Sequence, residues 1–130
     1  MGVSGTTNMI KIHMIGNCLA TGVGIGPEGS ALANATGKAC VCHNLDELRA
    51  KFKPGMVLVV SSTSNEMLSY VRDAAALVVE EAGLNSHAAI AGKALLKPTI
   101  VGAVGATAHI RDGLMVAVDC AHGSVQRLQA

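Results

Sequence analysis

The sequence predicts an α/β fold with a mostly parallel central sheet, on three observations. The apolar residues come as short continuous runs, Met56 to Val60 and Ala74 to Val79, the pattern of strands buried on both faces. Helical segments with capping signals alternate with those runs, so that strand, helix, strand, helix, strand follow as a βαβαβ unit. The 130 residues are 50% hydrophobic and 15% charged with a net charge of +1, which suffices for one core and excludes disorder.

Met9 to Ile15 alternates Met9, Lys11, His13 and Ile15 against Ile10, Ile12 and Met14, a period-two strand with one apolar face. A strand so close to a terminus needs a partner sheet. Residues 1–15 are therefore expected to belong to another domain, and 16–130 to form the α/β domain. From Gly16 to Gly37 glycine recurs (Gly16, Gly22, Gly24, Gly26, Gly29, Gly37), so short strands and turns in a small β layer are expected, with Ile25 to Gly29 as the clearest turn. Lys38 to His43 reads as a strand. Asn44, answered by Glu47, caps a helix that ends by Pro54-Gly55. After the strand Met56 to Val60, Thr63 and Glu66 form a second capping box before a stripe of Met67, Leu68 and Val71. Ala74 to Val79 is the next strand, Ser86 caps a helix from His87 to about Leu95, and Pro98 precedes a strand at Thr99 to Val101. Leu114 to Cys120 and Ser124 to Leu128 make a closing hairpin.

The near-neutral charge gives no field for a polyanion, and 2% aromatics leave no stacking platform, so no nucleic-acid partner is expected. No run approaches the roughly 20 apolar residues of a membrane span. Met1-Gly2-Val3-Ser4-Gly5-Thr6 fits a myristoylation pattern but lacks a polybasic second anchor, and neither lipidation nor secretion is expected. A cytoplasmic protein with reduced Cys18, Cys40, Cys42 and Cys120 is expected.

Cys40-Val41-Cys42-His43 suggests a metal site. On a strand, however, the two cysteines face away from His43, and no second ligand pair exists, so no metal is expected and the thiols read as half-buried packing groups. The glycines at 22, 24 and 26 are not followed by a capped helix, and Gly37-Lys38-Ala39 lacks the hydroxyl of a nucleotide loop. The segment from Glu80 to Ile90 differs in kind. It leaves the carboxyl end of a buried strand and enters the first turn of a helix, the place where parallel α/β proteins hold ligands. His87 there would be a neutral imidazole beside a positive dipole end that favours an anion.

From Pro54 to Gly102 the chain resembles, without gaps, the phosphohistidine domain of the phosphoenolpyruvate-utilising enzymes. The matching pieces are Pro54-Gly55, Thr63, Ala74-Ala75-Ala76, Gly83, Ser86-His87-Ala88-Ala89-Ile90 and Pro98-Thr99-Ile100-Val101-Gly102. The resemblance implies a swivelling β/β/α three-layer domain whose phosphoryl acceptor is His87, with Gly83, Ser86, Thr63 and Lys93 around the anion. Three departures, Ala82 for a glycine, Asn85 for a threonine and Lys93 for an arginine, favour a vestigial phosphate pocket at His87 over the alternative, an active phosphohistidine carrier in which Ser86 and Lys93 steady the transferred group, since lysine lacks the two-pronged guanidinium grip on phosphate. The run Gly5 to His13 is similar to the last strand of the pyruvate kinase body, after which some bacterial members of that family carry such an extra domain. That resemblance implies an accessory role, the rest of a pyruvate kinase chain and its neighbouring subunits as partners, and a homodimer when the strand at residues 1–15 pairs with another copy. It also implies phosphate or sulfate near His87 as the only ligand here, magnesium and potassium belonging to the full-length enzyme.

Overall fold

The apolar runs dictate the centre of the molecule. In the computed structural model, which describes residues 18–26 and 34–128, the elements are β1 (Cys18–Thr21), β2 (Val23–Ile25), β3 (Asn34–Val41), α1 (Leu45–Lys51), β4 (Val57–Val60), a single 3-10 turn (Asn65–Met67) continuing into α2 (Leu68–Asp73), β5 (Ala76–Val79), α3 (His87–Ala94), β6 (Thr99–Val101), α4 (Ala106–His109), β7 (Met115–Asp119) and β8 (Ser124–Arg127). The strand expected at Met9 to Ile15, the 1–15 boundary and most of the Ile25 to Gly29 turn lie outside the described residues.

The strand order is β1-β8-β7-β3-β4-β5-β6-β2. β3, β4, β5 and β6 run parallel, joined by α1, α2 and α3 as the βαβ pattern requires. β3 serves two neighbours: Asn34–Lys38 pairs antiparallel with β7, and Ala39–Val41 pairs parallel with β4. β1 and β2 stand at opposite ends of the order yet are separated in sequence only by Gly22. In a flat sheet those ends would lie roughly 30 Å apart at the usual strand spacing. The sheet therefore curls until its ends meet, and there the Gly22 N–H donates to the Gly123 carbonyl at 2.7 Å.

Two cores follow from that curl. Ala39, Val41, Val57, Val59, Ala76, Val78 and Ile100 point between the two halves of the sheet, against Val116, Val118 and Val125. Their strand neighbours Cys40, Leu58, Val60, Leu77, Val79 and Val101 point the other way, beneath Leu48, Met67, Val71, Ala88 and Ala89 of the helices. The layers are thus β, β and α. Every residue of β4 and β5 is buried, because both faces of these strands are covered.

Several sequence expectations change in detail. β3 begins at Asn34 rather than Lys38, since β7 supplies it with an antiparallel partner. The Asn44 cap forms, with its Oδ1 accepting from the Glu47 N–H at 2.8 Å, and Glu47 Oε1 reaches back to the His43 N–H at 2.8 Å. The Thr63–Glu66 capping box does not form: Ser64 stands at the cap without a side-chain bond, because the Thr63 hydroxyl is engaged elsewhere. Cys40 and Cys42 are 0% and 1% exposed rather than half-buried, since α1 covers them. α4, which the sequence does not announce, starts at a left-handed Gly105 with no side-chain cap of its own. Glu80 Oε2 instead accepts from the Thr107 N–H at 2.9 Å and its hydroxyl at 2.8 Å, a cap delivered from 27 residues away.

Candidate functional site

The site is assembled at the carboxyl ends of β4 and β5. The loop after β5 turns at Gly83, whose φ of +118° suits glycine and few other residues. The Gly83 carbonyl then accepts from the Ser86 hydroxyl at 2.8 Å and from the Ser86 N–H at 3.2 Å. Ser86 caps α3, its Oγ accepting from the Ala89 N–H at 3.2 Å. His87 is consequently fixed as the first residue of the helix.

Its ring is held on both sides by the loop that follows β4. His87 Nε2 lies 2.8 Å from Asn65 Oδ1, and His87 Nδ1 lies 2.7 Å from Thr63 Oγ1. Because a carbonyl oxygen only accepts, the Nε2–H donates to Asn65, while the Thr63 hydroxyl serves Nδ1 as donor or acceptor. The imidazole is thereby held from both sides at the start of α3. Beside it, Asn65, Leu68, His87, Ile90, Ala91, Ala94 and Leu95 line a mostly apolar groove of about 320 Å³ between α2 and α3. Across Thr63 lies a smaller, polar cleft of about 180 Å³, lined by His43, Asn44 and Ser61 through Ser64.

Of the residues expected from sequence, Gly83, Ser86, His87 and Thr63 come together through these hydrogen bonds. Lys93 does not join them: it lies exposed in the last turn of α3, about 9 Å along the axis from His87 at the usual helical rise. Asn65 is the site residue that sequence reasoning missed. Its position two residues beyond Thr63, in an exposed polar loop, carries no signal by itself.

The cysteines stand apart from this chemistry. Cys40 and Cys42 place their sulfurs 3.4 Å apart beneath α1, and burial pushes the Cys42 thiol from its ordinary 9.0 up to about 12. A thiol so placed has no reactive thiolate at neutral pH. Among the described residues no three His, Cys, Asp or Glu side chains converge on a point that would hold a metal ion. Among the same residues no helix is long and apolar enough to cross a membrane.

Comparison with known proteins agrees with this architecture. Residues 52–123 match the family described as "PEP-utilising enzyme, mobile domain". The pyruvate kinase of Bacillus licheniformis is 40% identical over 130 residues, all of this chain and 21% of its own length. That of Geobacillus stearothermophilus is 42% identical over 127 residues, covering 98% of this chain and 21% of the relative. The chain thus spans about a fifth of the length of the pyruvate kinases it matches. Among solved structures, the holo form of Thermococcus kodakaraensis aconitase X superposes with a TM-score of 0.63 at 18% identity, over 85% of this chain and 98% of that one. An Enzyme I solution structure superposes with a TM-score of 0.52 at 21% identity, over 62% of this chain and 33% of that one. At such identities the likeness speaks to fold alone, and it is the match across residues 52–123, reaching from the end of α1 to the β7–β8 turn and including His87, that decides kinship. The chain belongs to the mobile-domain family of PEP-utilising enzymes.

Proposed function

We propose that this chain is an accessory domain of a pyruvate kinase, outside the place where phosphoenolpyruvate and ADP react, and that it stabilises or regulates the tetramer through a phosphate pocket at His87. One observation carries the choice of pocket over carrier: both ring nitrogens of His87 lie against side chains, Thr63 and Asn65, so the ring is held in place at the helix start rather than standing as a free nucleophile. The start of α3 adds helix N–H groups and the positive end of its dipole, which favour an oxyanion. Phosphate or sulfate is the ligand in this reading. Magnesium and potassium belong to the remainder of the longer enzyme, as do the neighbouring subunits that the domain contacts in the cytoplasm.

The test is a titration of the His87 ring signals with inorganic phosphate, then phosphoenolpyruvate, with intact mass measured after each. A saturable shift at millimolar phosphate, absent from His87→Ala and without added mass, is the expected result. A silent His87 rejects the pocket, and a phosphoryl mass gained from phosphoenolpyruvate replaces it with a working carrier.

A further inference from the structure

We propose that Cys40 and Cys42 are a modification site, a thiol pair that low-molecular-weight disulfides convert reversibly to a Cys40–Cys42 disulfide when α1 lifts from the sheet. The proposal is independent of the His87 reading. The two side chains leave the same face of the chain, two residues apart, and their sulfurs stand 3.4 Å apart, joined by a hydrogen bond in which either can donate. A bridge needs Cα atoms within about 6.8 Å, and two residues of extended chain span roughly 6.6 Å. Cys42 already lies beyond Val41, the last residue of β3, so the remaining closure falls on chain held to the sheet by one bond, from the Cys42 N–H to the Val59 carbonyl at 3.0 Å. The other two cysteines lie against backbone carbonyls instead, Cys18 against Ala20 at 3.5 Å and Cys120 against Ile25 and Thr99 at 3.6 and 3.7 Å.

One short helix separates the pair from solvent. α1 has seven residues and buries a single side chain, Leu48. A helix of that length is not stable alone in water and depends on its packing and its ends. Its start is held by the Asn44 cap, and its end by Lys51, whose ammonium donates to the Val41 carbonyl and pairs with Asp112 at 3.5 Å. Local opening of such a unit costs less than unfolding the domain. With α1 seated, burial holds both thiols above their ordinary range; with α1 lifted, solvation returns and a thiolate can form. That thiolate attacks one sulfur of the small disulfide and expels the first small thiolate. The second cysteine loses its proton to water, attacks the mixed disulfide at the protein sulfur and expels the other. Two protein thiols thus become one disulfide, and the reagent disulfide, gaining the two electrons and two protons, becomes two thiols. A ring closed over one intervening residue is strained, so excess small thiol reopens it.

The experiment incubates the full chain with glutathione disulfide at neutral pH, quenches in denaturant with an alkylating reagent and maps the cysteines by mass. The expected product is a peptide with Cys40 and Cys42 both unalkylated, lighter by two hydrogens than the dithiol and carrying no glutathione, which reverts when reduced glutathione is added in excess. Cys42→Ser should instead retain glutathione on Cys40. Asn44→Ala, which frays the start of α1 without changing charge, is expected to form the bridge roughly threefold to tenfold faster than the parent, the effect of losing one helix cap. A pair that stays reduced in the folded chain, that bridges only in urea, or that holds a glutathione adduct never displaced by the second cysteine overturns the site. A folded Asn44→Ala reacting at the parent rate overturns α1 as the barrier.

Discussion

Thr63 shows how a single side chain is reassigned by its surroundings. Three residues before Glu66 it has the spacing of a helix cap, yet its hydroxyl lies against His87, and the helix starts without a side-chain cap. A local bond to a backbone N–H competes with a bond to a ring nitrogen 24 residues away, and the helix loses little because the buried Met67 and Val71 anchor it by packing. Asp119 presents a comparable contest of terms. Partial burial, the largest single influence, pushes its carboxyl up, and the His122 ring at 2.7 Å with the Ala121 and His122 N–H groups together outweigh it, leaving the carboxyl below its ordinary range. A depressed folded value means stabilisation that is complete above the ordinary aspartate range, near 4, and is lost as pH falls through the depressed value. Thermal melting between pH 6 and pH 3 should therefore show a larger drop in Tm for the parent than for Asp119→Asn, and equal drops would reject this role for the β7–β8 turn.

At the scale of elements, α3 illustrates a helix selected for closeness rather than for a large apolar stripe. Its buried face is Ala88, Ala89, Ala91 and Gly92, and it lies so near β6 that a Cβ at Gly92 would overlap the Thr99 side chain, which is fully buried and holds the Lys97 carbonyl at 2.9 Å. Gly92→Ala gains helix propensity of about 1 kcal/mol, but overpacking costs roughly 1–3 kcal/mol. The net expectation is a lower urea midpoint with unchanged slope. A raised midpoint would mean that α3 can lift from β6 at no cost. The same closeness fixes the helix start, so His87 reaches the β4 loop, and a shifted α3 should also weaken the Thr63 contact. The caps at Asn44 and Ser86 are legible in the sequence because capping acts within three residues. The cap of α4 is not, since its acceptor, Glu80, arrives from the end of β5.

The whole molecule is two cores separated by one layer of strands. Leu58 and Val59 are neighbours in β4, both 0% exposed, and they face opposite cores, the first under the helices and the second between the sheet halves. A strand cannot lose one face and keep the other in register, so the two cores are expected to melt as one unit. Leu58→Ala should cost about 2–5 kcal/mol and Val59→Ala somewhat less. In both, Tyr70 fluorescence, which reports the helix layer where Tyr70 packs edge-on against Phe52, should fall on the same denaturation curve as far-ultraviolet circular dichroism. Separated curves would show that the helix layer peels away independently.

By itself the sequence determined the βαβαβ order, the hairpin from β7 to β8, the covered faces of β4 and β5, and the place of His87 at a capped helix start. Those features rest on periodicity, turns and caps, interactions that act within a few residues of chain. The tertiary structure alone decided the curl that joins the two ends of the sheet across Gly22, the cap that Glu80 gives α4, and the meeting of Asn65 and Thr63 with His87. These contacts span 22 residues or more; the cap and the His87 contacts exist because adjacent parallel strands bring their carboxyl-end loops side by side, and the curl because β1 and β2, one residue apart in the chain, stand at opposite ends of the strand order.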